Sequence, residues 1–297
     1  MKTHSPTPAA PDETASYAQD GLTAEFYRGR QDAVSDQAVI ILGGSDGNFK
    51  TTQQFAAAFA DHGLNTLALP YYGQPHLPKD LAQIPVETVE TAAGWLHRRG
   101  FTRIGIWGIS MGAQLALLAA SLIPAIGRVA AVSPLDVCVQ GLQTAPRRKL
   151  LDCSAFTWRG YDLPYCPLHM NRLRVLRDCV KTRSLCLRSC YRDAVGAAEE
   201  TRIRVENIQG AVLLLSAEDD TMWPSYEAAR RIVRRLEDGG FQYPVIERAY
   251  HRAGHYLFPV ESRWHKLFAN ARRYPQDYMA AARDALAQAL DFFHGWQ

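Results

Sequence analysis

The chain predicts an α/β fold: a mostly parallel sheet with helices on both faces. Three observations carry that reading. Short apolar, β-branched runs alternate with stretches of helical period along most of the 297 residues. The strand-like runs are apolar throughout instead of alternating, which marks strands buried on both faces. With 47% hydrophobic residues, the chain can also bury a sizeable core as one large domain or two small ones.

The elements follow in order. "MKTHSPTPAAPDETASYAQDG" is rich in Pro, Ala and small polar residues and lacks the apolar core of a signal peptide. It reads as a loose tail over residues 1–20, ahead of a single domain spanning 21–297. "LTAEFYRG" is a candidate edge strand. "QAVIILGG" is the first core strand, and "TTQQFAAAFADHG" a helix stopped by glycine. "NTLALPYYG" is the next strand; "PVETVETAAGWLHRRG" opens on proline and closes on basic residues and glycine, as a helix should. "RIGIWGIS" runs into a helix, and "RVAAVSP" is the strand after it. Strand "GAVLLLSAEDD", amphipathic helix "PSYEAARRIVRRLEDGG", strand and loop "YPVIERAYHRAGH", and helix "QDYMAAARDALAQALDFF" complete the domain.

Between the strands "RVAAVSP" and "GAVLLLSAEDD" the composition changes. Residues 138–206 hold all six cysteines and a high density of arginine, mixed with tryptophan and tyrosine. An insertion at that point lies over the C-terminal strand ends, where α/β sheets keep their sites, so it reads as a helical, basic lid. The cysteine spacings lack paired CxxC, which predicts reduced structural thiols, no metal and, by default, a cytoplasmic protein. A formal net charge of +3 is too slight to imply nucleic acid, and no apolar run is long enough to span a bilayer.

Gly108-Ile109-Ser110-Met111-Gly112 fits G-x-S-x-G between a strand and a helix. A serine on such a turn stands above the sheet, and the Met111 amide at the helix start faces any oxyanion formed there. The bland reading is a plain turn with Ser110 as a helix cap. A serine needs a base, and the order Ser, acid, His is present: "AEDD" follows one buried strand and "AGH" the next. Local logic leaves Asp219 and Asp220 both open as the acid. His255, in a flexible loop after Gly254, is the candidate base, while His251 lies nearer the strand end. The glycine-rich loop "LGGSDGN" offers Ser45 N–H as a second oxyanion donor; it lacks the spacing and the lysine of a phosphate-binding loop.

The set "LGGSDGN", "LALPYYGQPHLPKDLAQIPVETVETAAGWL", "IGIWGISMGAQLALLAAS", "LLLSAEDDTMWPS" and "AGHYLFP" resembles the C-terminal catalytic domain of the acyl-CoA thioesterase and bile acid-CoA:amino acid N-acyltransferase family, a branch of the α/β hydrolases. The likeness runs from about Val39 to Pro259, except in the insertion, and no stretch matches the family's N-terminal β-sandwich domain. Ala217 stands where the family has glycine before the acid. The resemblance implies Ser110 as nucleophile, Asp220 (second of the pair, with Trp223 following) as acid, and His255 as base. It further implies an acyl thioester or ester substrate and no cofactor. Serine at the elbow leans toward hydrolysis, because amidating members carry cysteine there. Tyr71 and Tyr72, with Arg147, Arg148 and other insertion cations, are the candidates for holding a small acyl substrate and its anionic group. The alternatives are a carboxylesterase or dienelactone-hydrolase-like enzyme on a small ester, transfer to an acceptor other than water, and a non-catalytic binding module.

Overall fold

The computed structural model describes residues 10–30, 36–144, 149–260 and 265–296. Its frame is an eight-stranded sheet of β1 (Glu13–Ala15), β2 (Ala24–Tyr27), β3 (Gln37–Leu42), β4 (Asn65–Ala68), β5 (Arg103–Ile109), β6 (Ile126–Val132), β7 (Ala211–Ala217) and β8 (Val245–Tyr250). The spatial order is β1-β2-β4-β3-β5-β6-β7-β8. β2 runs antiparallel to β1 and β4, and the pairs from β4 through β8 are parallel.

The uninterrupted apolar strands are explained by two cores. Alternate residues of β3 point to opposite faces: Ala38, Ile40 and Leu42 join one cluster, Val39 and Ile41 the other. The first cluster is closed by α2 (Glu87–His97), α3 (Met111–Leu122) and α5 (Ser225–Asp238), and the second by α1 (Phe49–Asp61) and α6 (Pro275–His294). α3 is buried along its first eleven residues; ten of them carry Ala, Gly, Ser or an apolar side chain, and the remaining Gln114 is also buried.

The expected loose tail needs correcting for residues 10–20. Ala15 is 1% exposed in β1, which pairs with β2 and makes β1, not "LTAEFYRG", the edge strand. Asp20 accepts a bond from Trp95 Nε1 (3.0 Å), and Arg99, stacked on the Trp95 ring, donates to Glu13. Polar and small residues sufficed here because an edge strand buries only one row of side chains.

The insertion is mixed β and helix. Gln140–Leu142 pairs with Leu150–Ser154, and Phe156–Trp158 lies between Tyr161–Asp162 and Ile84–Pro85. The hairpin turns at Arg159-Gly160, both with positive φ, as a two-residue loop between twisted strands requires. The second half is helical: α4 (Arg172–Thr182), then single-turn and 3₁₀ segments from Arg188 to Asn207. Both ends are tied to the body through Asp136, which is 5% exposed. Its carboxylate takes Arg202 (2.6 Å) from the end of the insertion and Arg231 (2.7 and 2.8 Å) from α5. All six cysteines are unpaired. Burial pushes the thiol of Cys138 up to about 12 and that of Cys166 up to about 11, so both stay protonated packing groups at neutral pH.

Candidate active site

β5 ends at Ile109 and α3 begins at Met111, so Ser110 alone makes the turn, with φ 60° and ψ −123°. The flanking glycines permit it. A Cβ on Gly108 would run into the Gly112 carbonyl, and one on Gly112 into the Gly43 carbonyl. The elbow is held by Ser110 N–H donating to Val132 O (2.9 Å) on β6.

The loops after β7 and β8 reach the same point. His255 Nε2 lies 2.8 Å from Ser110 Oγ, and His255 Nδ1 2.8 Å from Asp220 Oδ2. The three residues are 9% (Ser110), 6% (His255) and 2% (Asp220) exposed. Asp220 is held from several sides. Ser225 Oγ donates to Oδ2 (2.5 Å), and the Met222 amide donates to Oδ1 (2.8 Å). These donors satisfy the buried carboxylate and fix its position against the imidazole. Asp219, by contrast, is exposed and accepts from Asn270 Nδ2 (3.0 Å), while His251 is exposed beside Glu218 (3.0 Å). Geometry thus separates the two aspartates that the local sequence left open.

Two further residues, Trp223 and Ser133, pack around His255. The Trp223 ring meets the His255 ring edge-to-face at 5.2 Å, and its Nε1 donates to Ser133 O (3.1 Å). Ser133, itself at φ 50°, donates from Oγ to His255 O (2.7 Å). Sequence reasoning missed Ser133 and Ser225. For Ser225 a signal existed, a hydroxyl at the helix start five residues after the acid; for Ser133 there was none, because its partner lies far along the chain.

Ser110, Met111, His255 and Trp223 open on a cavity of about 670 Å³. Val139, Leu142, Leu168, Leu185, Leu187 and Tyr191 from the insertion form one wall, and Ser45 and Tyr72 stand on the other side. Met111 N–H sits at the first position of α3, where the helix offers it no acceptor. Gly44 is packed on Ser110, a Cβ there falling 3.6 Å from the serine Cβ. Tyr72 lines the cavity with its hydroxyl against Gly47. Tyr71 does not line it: fully buried, it donates to the Gly43 (2.9 Å) and Gly44 (3.1 Å) carbonyls, so its expected role in substrate contact is corrected to holding the loop.

Arg147 and Arg148 lie outside the described residues. The other insertion cations do not reach the cavity: Arg188 is engaged with Glu227 and the Asp220 carbonyl, and Arg172, Arg174, Arg177 and Lys181 project from α4 into solvent. Among the described residues, Asp46 and Lys79 are the acid and the cation that line it. Lys79 belongs to the "YYGQPHLPK" stretch and was not singled out from sequence. Among the described residues no cluster of His, Cys, Asp and Glu suits a metal ion, and no helix is long and apolar enough to cross a membrane.

A serine on a strand-to-helix elbow above a parallel sheet, with acid and imidazole arriving on later loops at the same sheet edge, is the architecture of the α/β hydrolases, and this chain has it. Within that class it belongs to the family described as BAAT / acyl-CoA thioester hydrolase C terminal, whose profile matches residues 84–294. It is 27% identical over 250 residues to acyl-coenzyme A thioesterase 1 of Mus musculus, and 28% over 254 residues to the peroxisomal succinyl-coenzyme A thioesterase of the same organism. Each match covers 80% of this chain and 55% of the relative, so the chain spans about half the length of these proteins. Among solved structures, a candidate dienelactone hydrolase from Klebsiella pneumoniae superposes with a TM-score of 0.56 at 14% identity, covering 93% of both chains. An acylaminoacyl peptidase from Pyrococcus horikoshii gives 0.54 at 11% identity, covering 93% of this chain and 40% of that one. These likenesses carry the fold alone.

Proposed function

We propose that this chain hydrolyses an acyl thioester of the acyl-CoA type, or a carboxylic ester, through an acyl-enzyme on Ser110. The observation that carries the reading is the hydrogen-bonded series Ser110–His255–Asp220 set in the wall of an apolar cavity. With Asp220 accepting from Nδ1–H, the Nε2 lone pair of His255 faces Ser110 Oγ and takes its proton as the oxygen attacks the carbonyl carbon. The oxyanion is received by the N–H groups of Met111 and Ser45. His255 then returns the proton to the departing sulfur or oxygen, and a water deprotonated by the same nitrogen releases the acid.

Tyr71 supports the second donor. In a trans peptide C=O and N–H point in opposite directions, so a Gly44 carbonyl held by the Tyr71 hydroxyl turns the Ser45 N–H away from Tyr71. The acyl portion occupies the apolar cavity. Family membership and the named activities of the relatives favour a thioester. One acid and one cation, Asp46 and Lys79, among the described lining residues favour a second reading, an uncharged small ester.

The test is steady-state hydrolysis of an acyl-CoA chain-length series beside short p-nitrophenyl esters, with Ser110→Ala as control. We expect a chain-length optimum and a fall in kcat of roughly 10⁴-fold or more in the variant. Turnover of esters alone would keep the nucleophile and overturn the thioester. Activity surviving in Ser110→Ala would overturn the mechanism.

A further inference from the structure

α4 is the least buried helix of the insertion and carries an unpartnered apolar stripe. Leu173, Leu176 and Val180 are 80%, 62% and 70% exposed, and none of the eleven residues is buried. At about 100° per residue these three fall within an arc of roughly 60°. Arg172 flanks the arc on one side, and Arg177, Lys181 and Arg174 flank it on the other, all exposed. The one acid of the helix, Asp178, is on the opposite side of this arc, only 20% exposed and beside Arg177. The helix is secured at its start, where the Asn171 side chain accepts from Arg174 N–H (3.0 Å). Beside its C-terminal end the same sign continues: exposed Arg272 donates to the Arg183 carbonyl, and exposed Lys266 lies on the same neighbouring segment.

An apolar stripe bordered by cations and free of carboxylates fits the boundary between acyl chains and anionic headgroups. It fits a second copy of this chain poorly, because a two-fold contact through α4 would face these cations with their own copies. We propose that α4 is an interfacial helix that seats the protein on an anionic lipid surface. From that helix the chain runs directly to Leu185 and Leu187 in the cavity wall, and Leu185 N–H is bonded to Leu267 O (2.8 Å), next to the cavity residue Phe268. Lipid docking would therefore bring the insertion side of the cavity close to membrane-borne acyl chains. That consequence rests on the hydrolase reading; the docking itself does not.

Co-sedimentation of the full chain with vesicles tests it without any turnover. Phosphatidylcholine vesicles are compared with vesicles carrying roughly 30% phosphatidylglycerol. We expect binding to the anionic vesicles at least about tenfold stronger, falling as salt is raised. Arg174→Glu with Arg177→Glu and Lys181→Glu should abolish the preference, and Leu173→Ser with Leu176→Ser and Val180→Ser should weaken binding to both vesicle types. Unchanged melting midpoints and unchanged hydrolysis of a short soluble ester would show that the variants fold. Equal binding to neutral and anionic vesicles, or binding untouched by salt and by both variants, would overturn the proposal. A dimer in light scattering that the serine variant splits, without vesicle binding by the parent chain, would reassign the face to a second copy.

Discussion

Ser110 holds a positive φ that a non-glycine residue adopts at a cost of about 1–3 kcal/mol, and its neighbours explain how that conformation persists. Ser110 N–H is bonded to β6, Gly108 and Gly112 let the backbone segments pass, and the helix behind is buried over its first eleven residues. The loop opposite depends on one side chain. Tyr71→Phe removes the proton that ring places between the Gly43 and Gly44 carbonyls, leaving the first buried and the second half-buried against a hydrocarbon edge. If that hydroxyl positions the Ser45 amide, kcat should fall about tenfold to a hundredfold with KM little changed, since loss of a whole oxyanion donor costs roughly 10²–10³. The melt should show a loss of about 1–3 kcal/mol from the unsatisfied carbonyls. A stability loss with kcat intact would mean that the tyrosine only braces the loop.

The insertion meets the body at many places, among them the Ile84–Pro85 strand and the Arg188–Glu227 pair, and the buried carboxylate of Asp136 is one of these joints. Its carboxylate is shared by Arg202 and Arg231, which come from elements far apart in sequence. Backbone bonds run beside it, Cys138 N–H to Thr201 O (2.8 Å) and Ile203 N–H to Asp136 O (3.0 Å), so both ends of the insertion close at one place. Asp136→Ala would leave two largely buried guanidinium groups without their shared counter-charge, Glu199 at 3.8 Å from Arg202 Nε being the acid that remains. The expected cost is about 3–5 kcal/mol in denaturant unfolding. A change under about 1 kcal/mol would mean that water reaches these groups and the clamp is weak. The mixed make-up of the insertion has a physical source. Its hairpin depends on a two-residue turn and on pairing with Ile84–Pro85, more than fifty residues earlier, whereas helical α4 is written locally in its own spacing.

Taken whole, the molecule is one sheet with two cores, and its N-terminal edge is closed by a strand that composition disguised. A chain beginning at residue 21 would lose β1, the Asp12 carboxylate that receives Arg28 N–H (2.8 Å), and the Asp20 partner of Trp95. It should melt lower, by about 2–4 °C for each kcal/mol lost, and the bared edge of β2 should promote self-association in light scattering. An unchanged melt and a monodisperse particle would show that β1 contributes nothing to the sheet. At this level the family match and the structural likenesses describe the same object: residues 84–294 cover the elbow, the insertion and both later loops.

The parallel core was legible in the chain itself, because strands buried on both faces must be apolar throughout and the helices that cover them from outside amphipathic. The elbow was legible for a related reason: a strained turn under a close backbone crossing admits few residue types, so Gly108, Ser110 and Gly112 stand out. The order of acid and histidine could also be read, since both follow recognisable strands. Folding decided the rest. Asp220 and Asp219 are chemically identical neighbours, and only the pocket made by Ser225 and the Met222 amide distinguishes the buried one. Tyr71 and Tyr72 are likewise adjacent and alike, yet one is bonded to the loop beside Ser110 and the other faces the cavity. The insertion arginines show the same limit. Charge is written in the sequence, but whether a cation meets a carboxylate, a cavity or open solvent depends on contacts between segments far apart along the chain.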